Sequence, residues 1–145
     1  MKKKELNELY WLNKEIEDLK YRLKELEETF ISASKLDSEI HAIGEHGNPV
    51  EKLTIKIMEL KNKIYKNMLT MWSKKEEIEE FIETIPDSKI RTIVRLRNID
   101  LLSWSEIANR LGKDRKTVTN IYNTFINELR ECIETDGKEK SKWTY

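Results

Sequence analysis

The sequence predicts an all-α protein in which a long N-terminal helical hairpin or coiled coil precedes a three-helix domain. Apolar residues recur at alternating steps of three and four over two long stretches, and strand-like alternation is nearly absent. The chain has only 4 Gly and 2 Pro in 145 residues, and 37% of its residues are charged. This composition favours long solvated helices over a large compact core.

The first helix carries three consecutive heptads. Its apolar residues are Leu9, Leu12, Ile16, Leu19, Leu23, Leu26 and Phe30, a spacing typical of a coiled-coil seam. With Leu9 at position a, a parallel partner would pair Glu15 with Lys20 and Arg22 with Glu27, and both pairs are attractive. This pattern supports a homodimer through the N-terminal helices. Antiparallel pairing with the next helix of the same chain is the alternative.

A second long helix follows a loop predicted at about residues 32–49. Gly44, Gly47 and Asn48 interrupt the periodicity, and Pro49 suits the first position of a helix. The apolar stripe of this helix is Val50, Leu53, Ile57, Leu60 and Ile64. Asn67 then occupies a position that the heptad would make apolar, which indicates a register shift or a polar contact that fixes the pairing. Residues 1–86 are therefore predicted to form an oligomerisation or partner-binding region.

Two short helices joined by a tight turn are predicted between Ser103 and Asn123. Ser103 and Glu106 have the spacing of a capping box, so a helix should begin at Trp104. Gly112 can end that helix in a left-handed conformation, and Asp114 can cap the next one. A preceding helix over Ser88–Asn98 completes a three-helix domain at residues 87–133. Residues 134–145 are predicted to be a polar tail.

The sizes of the apolar residues predict a steep crossing of these two helices. Ala108 supplies the small side chain needed at the crossing, and Val118 supplies a branched side chain that packs back on the first helix. The residues predicted to pack the motif are Trp104, Ile107, Ala108, Leu111, Gly112, Val118 and Ile121. This arrangement is a helix-turn-helix.

This Ile-Ala-x-x-Leu-Gly and Thr-Val-x-x-Ile pattern resembles the helix-turn-helix of the fourth region of bacterial sigma factors. Together with Arg95, Leu96 and Arg97 and the following Ile99, Leu101, Leu102 and Trp104, it resembles small phage-encoded transcriptional regulators of the ArpU and RinA kind. The resemblance covers roughly the last 60 residues. It implies a DNA-binding regulator that activates phage late genes.

The charge distribution agrees with a double-stranded DNA partner, although the net charge of the whole chain is zero. Residues 88–123 carry 8 basic and 3 acidic side chains, whereas residues 1–86 carry 15 basic and 18 acidic ones. In a helix-turn-helix the N-terminal end of the second helix enters the major groove. The candidates for base readout are Arg115, Lys116, Thr119, Asn120 and Asn123. The candidates for DNA-backbone contacts are Arg91, Arg95, Arg97, Arg110, Lys113 and Thr117.

The sequence gives no sign of an enzyme, a cofactor or a metal site. Cys132 has no evident base, no phosphate-binding loop occurs, and His41 and His46 have a spacing that favours ordinary loop residues. No apolar run approaches the length of about 20 residues that spans a bilayer. One cysteine fits a reducing compartment, and we expect no membrane association and a cytoplasmic location.

Three other functions are compatible with these residues. A sigma-like factor would use the same motif while its long helices contact RNA polymerase, which is therefore a further candidate partner. A small terminase subunit also combines a helix-turn-helix with oligomerising helices. A coiled-coil scaffold would not bind DNA at all.

Overall fold

The computed structural model describes residues 1–39 and 49–140, with side chains described over 1–36 and 49–132. Its five helices are α1 (Lys3–Glu39), α2 (Pro49–Glu83), α3 (Ser88–Asn98), α4 (Trp104–Leu111) and α5 (Arg115–Lys140). No strand occurs in these two ranges. The predicted all-α fold is confirmed.

The chain divides into two compact units, but the division does not fall at the predicted boundary near residue 86. The terminal unit contains Met1–Tyr10 and the chain from Ser73 onward, and the hairpin unit contains Trp11–Trp72. The first turns of α1 and the last turns of α2 thus belong with α3, α4 and α5. The physical reason is burial, since Leu6, Leu9, Ile78 and Ile82 are all nearly inaccessible to solvent.

In the hairpin unit, α1 and α2 pair with each other along their heptad stripes. Ile16, Leu19, Ile57 and Ile64 are buried. The Lys61 Nζ lies 3.4 Å from the Glu27 Oε1, and Glu27 precedes the end of α1 by as many residues as Lys61 follows the start of α2. The pairing is therefore antiparallel and lies within one chain.

This intramolecular pairing replaces the parallel pairing that the charges of α1 had favoured. Arg22 pairs with Asp18 on its own helix at 3.0 Å, and Glu27 pairs with Lys61. The parallel pairs Glu15 with Lys20 and Arg22 with Glu27 would require a second α1 on the same seam. Because α2 already covers that seam, a dimer needs another surface.

Two predicted element boundaries are wrong. The loop expected from about residue 32 is helical as far as Glu39, because the first glycine comes only at Gly44. The polar tail expected from residue 134 is helical as far as Lys140. A single glycine such as Gly137 costs a helix about 1 kcal/mol relative to alanine, which is too little to end one already formed. Residues 40–48 and 141–145 lie outside the described part of the chain.

The terminal unit has a continuous apolar core to which each of its helical segments contributes. Besides the side chains of α1 and α2 already named, the core contains Ile85, Ile93, Val94, Leu96, Ile107, Ala108, Val118, Tyr122, Phe125 and Ile126. The rings of Phe81 and Phe125 lie 6.4 Å apart between centroids and hold α5 against α2. Fully burying one such side chain contributes about 1.5–3 kcal/mol to the free energy of unfolding. Burial of its apolar side chains therefore holds α5 against the rest of this unit.

Local capping fixes the course of the chain through α3. The Asp87 Oδ1 accepts a hydrogen bond from the Lys89 backbone N–H at 2.8 Å and begins the helix. Beyond α3, the backbone N–H groups of Ile99 and Asp100 donate to the Arg95 carbonyl. Leu101 then adopts a φ of 57°, a left-handed conformation that non-glycine residues adopt rarely. This turn redirects the chain into α4.

Across the described residues, no helix combines the length and apolar character needed to cross a bilayer. The same residues contain no group of three or more His, Cys, Asp or Glu side chains arranged to bind a metal ion. His41 and His46 lie outside the described residues.

Candidate nucleic-acid interface

The capping box predicted at the start of α4 is present. The Ser103 Oγ accepts from the Glu106 backbone N–H at 3.3 Å, and the Ser103 N–H donates to the Glu106 Oε2 at 2.7 Å. The hydrogen bond from the Ser103 backbone, assisted by the Ser103 hydroxyl and the Arg110 charge, lowers the pKa of Glu106 below its ordinary value. These bonds set where α4 begins and how its first turn is oriented.

A left-handed glycine ends α4 and turns the chain toward α5. Gly112 has φ 61° and ψ 36°, and the Lys113 N–H donates to the Ala108 carbonyl at 3.0 Å. The Asp114 carbonyl accepts from the Val118 N–H at 3.1 Å, so α5 begins directly after Asp114. Only three residues separate the two helices, which is the connection length of a helix-turn-helix.

We expect Gly112→Ala to lower the free energy of unfolding by about 1–2 kcal/mol, the cost of a left-handed conformation for a residue with a Cβ. A Cβ at this position would meet no atom within 4 Å, so the loss would come from the backbone alone. Gly112→Asn should lose less, because asparagine tolerates this conformation better. Urea unfolding of both variants measures the two losses, and equal losses would contradict an origin in the left-handed backbone conformation.

The crossing of α4 and α5 is built from the side chains that the sequence predicts to pack there. Ile107 and Val118 are completely buried, and Ala108 is 6% exposed. Leu111, Ile121 and Trp104 are partly buried. The Trp104 ring meets the Tyr122 ring edge-on, with centroids 5.0 Å apart. The inner faces of the two helices are thus occupied by each other and by α3.

The candidate base-reading residues of α5 are largely open to solvent. Arg115, Lys116, Asn120 and Asn123 are exposed, and Thr119 is half-buried with its hydroxyl donating to the Arg115 carbonyl at 2.8 Å. Within the described part of the chain, neither Arg115 nor Lys116 forms an ion pair. Two cations and two side-chain amides are therefore exposed within the segment 115–123 at the start of α5.

The six candidates for DNA-backbone contacts fall into two sets. Arg110, Lys113 and Thr117 are exposed around the turn. The other three arginines, which all lie on α3, already have partners within the chain. Arg91 donates to the Ile85 and Pro86 carbonyls, Arg95 pairs with Glu79 and Glu83, and Arg97 donates to the Leu102 carbonyl while lying 4.4 Å above the Trp104 ring. A phosphate contact by any of these three arginines would therefore have to replace a contact that it makes within the chain.

A model of the family described as "Protein of unknown function (DUF1492)" matches residues 30–131. The chain belongs to the DUF1492 family. Comparison with the curated proteins and with the solved structures found no match. The family match covers α2, α3 and α4 entirely, together with most of α5 as far as residue 131. The DUF1492 segment therefore includes the whole candidate interface.

One buried polar residue behind the candidate interface of this DUF1492 chain is not predicted from the sequence. Asn98, at the end of α3, is 2% exposed. Its Nδ2 donates to the Leu6 carbonyl at 3.0 Å, and its Oδ1 accepts from the Tyr122 hydroxyl at 3.1 Å. Asn98 thus joins α1, α3 and α5 in the core. The sequence offered one signal, because Asn98 lies four positions after Val94 and therefore on the apolar side of α3.

We expect the stability of the DUF1492 chain to fall more steeply with rising pH than that of Tyr122→Phe. Burial raises the pKa of the Tyr122 phenol, and the nearby Arg97 charge opposes this rise only in part. The folded state therefore holds the proton more tightly than the unfolded state. The resulting stabilisation is complete below the unfolded pKa of about 10 and is lost as pH rises through the folded pKa.

Urea unfolding of both proteins at a series of alkaline pH values measures this difference. The pKa values of Tyr21 and Lys74 are also raised, but both groups remain in the variant and cancel in the comparison. If the free energy of unfolding fell equally with pH in the unchanged protein and in Tyr122→Phe, the expected role of the Tyr122 phenol would be wrong.

Proposed function

We propose that this protein is a sequence-specific transcriptional regulator that binds double-stranded DNA through its helix-turn-helix. The end of α5 that carries Arg115, Lys116, Asn120 and Asn123 would enter the major groove. Residues around the turn would contact phosphates on either side. The resemblance to ArpU and RinA regulators supports a role in activating phage late genes from a bacterial cytoplasm.

The observation that carries the proposal is the exposed polar face at the start of α5. Ile107, Ala108 and Val118 bury the inner side of the helix pair, whereas the outer side offers arginine, lysine and asparagine side chains. Arginine can bridge two acceptors on guanine, and asparagine can pair bidentately with adenine. A face that served only as a solvated surface would not need this combination at the position where helix-turn-helix proteins read bases.

The exposure and ion pairs of the basic side chains support a smaller set of proposed DNA-backbone contacts. Arg110 and Lys113 flank the turn and are exposed, whereas Arg95 is held by the carboxylates of Glu79 and Glu83. Moving Arg95 to a phosphate would leave those two acidic groups beside each other without their cation. We therefore assign the main phosphate contacts to Arg110 and Lys113, with Thr117 beside them, and give Arg91, Arg95 and Arg97 a supporting role.

Selection of bound fragments from a random duplex pool tests the proposal directly. We expect a defined sequence to be enriched, and its affinity to fall steeply with salt, since about 0.9 counterion is released per neutralised phosphate. The double variant Arg115→Ala/Lys116→Ala should lose affinity for that sequence about ten-fold or more, because a bidentate base contact contributes about 1–3 kcal/mol.

A matched control keeps the change in net charge constant. Lys52→Ala/Lys56→Ala removes two exposed lysines from α2, outside the helix-turn-helix, and should bind the selected duplex as the unchanged protein does. If no sequence is enriched and binding is weak at every salt concentration, the proposal is wrong and a scaffold becomes the better interpretation. A stable complex with RNA polymerase would favour the sigma-like alternative, and a large ring of chains would favour the small terminase subunit.

Single replacements should separate base readout from phosphate contact. We expect Asn120→Ala to reduce the preference for the selected duplex over a scrambled one by about 5–150-fold, the range for one bidentate base contact. Lys113→Ala should weaken binding to both duplexes equally. It should also lower the slope of log affinity against log salt concentration by about 1, the value for one phosphate contact. Fluorescence anisotropy with both duplexes measures the two effects, and a uniform loss in both variants would contradict the assignment of Asn120.

A further inference from the structure

A second heptad stripe runs along α2 on a face that the hairpin leaves uncovered. Its members alternate at steps of three and four and are Ile55, Met58, Asn62, Tyr65, Leu69 and Trp72. The apolar members are strongly exposed, from 50% for Ile55 to 66% for Trp72. Contiguous apolar patches on a protein surface mark interaction sites, whereas single exposed apolar residues do not. The exposed apolar side chains of α1 do not follow such a spacing.

This outer stripe is on the opposite side of α2 from the seam that packs against α1. At about 100° per residue, the centres of the two stripes are about 140° apart around the helix. The outer stripe extends over about 26 Å of helix at 1.5 Å per residue, and at its next positions on either side stand Glu51 and Glu76. The α1 helix of the same hairpin therefore cannot cover it.

We propose that this outer stripe is a coiled-coil seam that binds the same stripe of a second copy of the chain in antiparallel orientation. The proposal rests on α2 alone and does not depend on DNA binding. The dimer contact lies on the α2 helices, whereas the heptads of α1 remain paired inside each hairpin.

The charges beside the outer stripe select a second copy in this orientation. When Asn62 of one copy faces Tyr65 of the other, Glu59 of each copy lies beside Lys66 of the other, so the dimer gains two attractive pairs. In a parallel dimer, Lys61 of each copy would instead lie beside Lys66 of the other. The parallel arrangement thus replaces two attractions with two repulsions.

The sizes of the side chains select the same orientation. Antiparallel pairing places Trp72 against Ile55, Tyr65 against Asn62 and Leu69 against Met58, so that each layer combines side chains of different shape and size. Parallel pairing would place Trp72 against Trp72 and Tyr65 against Tyr65. A parallel dimer would pair the Asn62 amides of the two copies across the seam. In the antiparallel dimer, the Asn62 amide of each copy would instead form a hydrogen bond with the Tyr65 hydroxyl of the other copy.

Analytical ultracentrifugation of the full chain across the micromolar range tests for the dimer. We expect the unchanged protein to dimerise and Leu69→Glu to be monomeric, because the glutamate would be buried in the seam. Ile31→Glu is the matched control, since Ile31 and Leu69 are both 54% exposed but Ile31 lies on α1. Circular dichroism should show equal helix content in all three. A monomeric unchanged protein, or a dimer that survives Leu69→Glu, would overturn the proposal.

Charge reversal tests the orientation. In an antiparallel dimer, Glu59→Lys and Lys66→Glu should each raise the dimer Kd about three- to ten-fold, because each reverses two exposed pairs. The double variant Glu59→Lys/Lys66→Glu should restore the original Kd. In a parallel dimer, Lys66→Glu would instead tighten association by removing the repulsion with Lys61. Tightening by Lys66→Glu would therefore overturn the antiparallel arrangement.

Discussion

Replacing Asn98 with leucine is expected to lower the free energy of unfolding by about 2–4 kcal/mol, since it removes two buried hydrogen bonds and leaves a buried hydroxyl without its partner. Leucine has a similar size, so the loss would come from the polar groups rather than from a cavity. The Leu6 carbonyl keeps a helical hydrogen bond, whereas the Tyr122 hydroxyl, in a residue only 4% exposed, loses the acceptor found here. Urea unfolding at neutral pH measures the effect.

A double-mutant cycle separates the hydrogen bond from the rest of the environment. Tyr122→Phe alone should also destabilise, because the Asn98 Oδ1 would then lose its donor. The double variant Asn98→Leu/Tyr122→Phe should be more stable than the sum of the single losses predicts, since neither polar group is left unpaired. Additive losses would show that Asn98 and Tyr122 act independently.

The opposite result is expected at Asn67, where replacement by leucine should raise the free energy of unfolding by about 1–3 kcal/mol. The Asn67 Nδ2 is buried, and within the described part of the chain it has no hydrogen-bond partner. Asn67 occupies a seam position that the heptad would make apolar, so leucine would remove an unsatisfied donor and add apolar contact with α1. The heptad pattern predicts a register shift or a polar contact at Asn67, and the Nδ2 makes no such contact with the described residues.

Asn127→Leu provides the control for this prediction. Asn127 is exposed on α5, so the same replacement there changes helix propensity alone, by a few tenths of a kcal/mol. Both variants should be compared at one low concentration, because self-association would add to the measured stability. If Asn67→Leu gains no more than Asn127→Leu, the buried amide does not destabilise the hairpin.

Both asparagines lie on the apolar side of a helix, yet their expected effects have opposite signs. The difference depends on which atoms face each of them in space. For Asn98 these atoms belong to Leu6 and Tyr122, the first of which is 92 positions away in the chain. For Asn67 no described atom accepts a hydrogen bond from the Nδ2. Neither fact can be obtained from spacing along one helix.

The arginines of α3 illustrate the same distinction for the candidate interface. From the sequence, Arg91, Arg95 and Arg97 were equivalent to Arg110 and Lys113, because all lie in one basic segment. In the structure, the α3 arginines bind backbone carbonyls, two glutamates and an aromatic ring. A count of charges measures how basic a segment is, but it does not measure how many of those charges are already neutralised or hydrogen-bonded within the fold.

By itself, the sequence determined the features that depend on near neighbours. Helix periodicity, the Ser103 capping box and the turn at Gly112 each involve residues within about four positions of one another, so their chemistry is visible in the order of the residues. Tertiary structure alone decided that α2 fills the seam of α1, that the ends of both long helices complete the core around α3, α4 and α5, and which polar side chains have partners. Those outcomes depend on competition between distant surfaces for burial, and distance along the chain carries no information about which surface prevails.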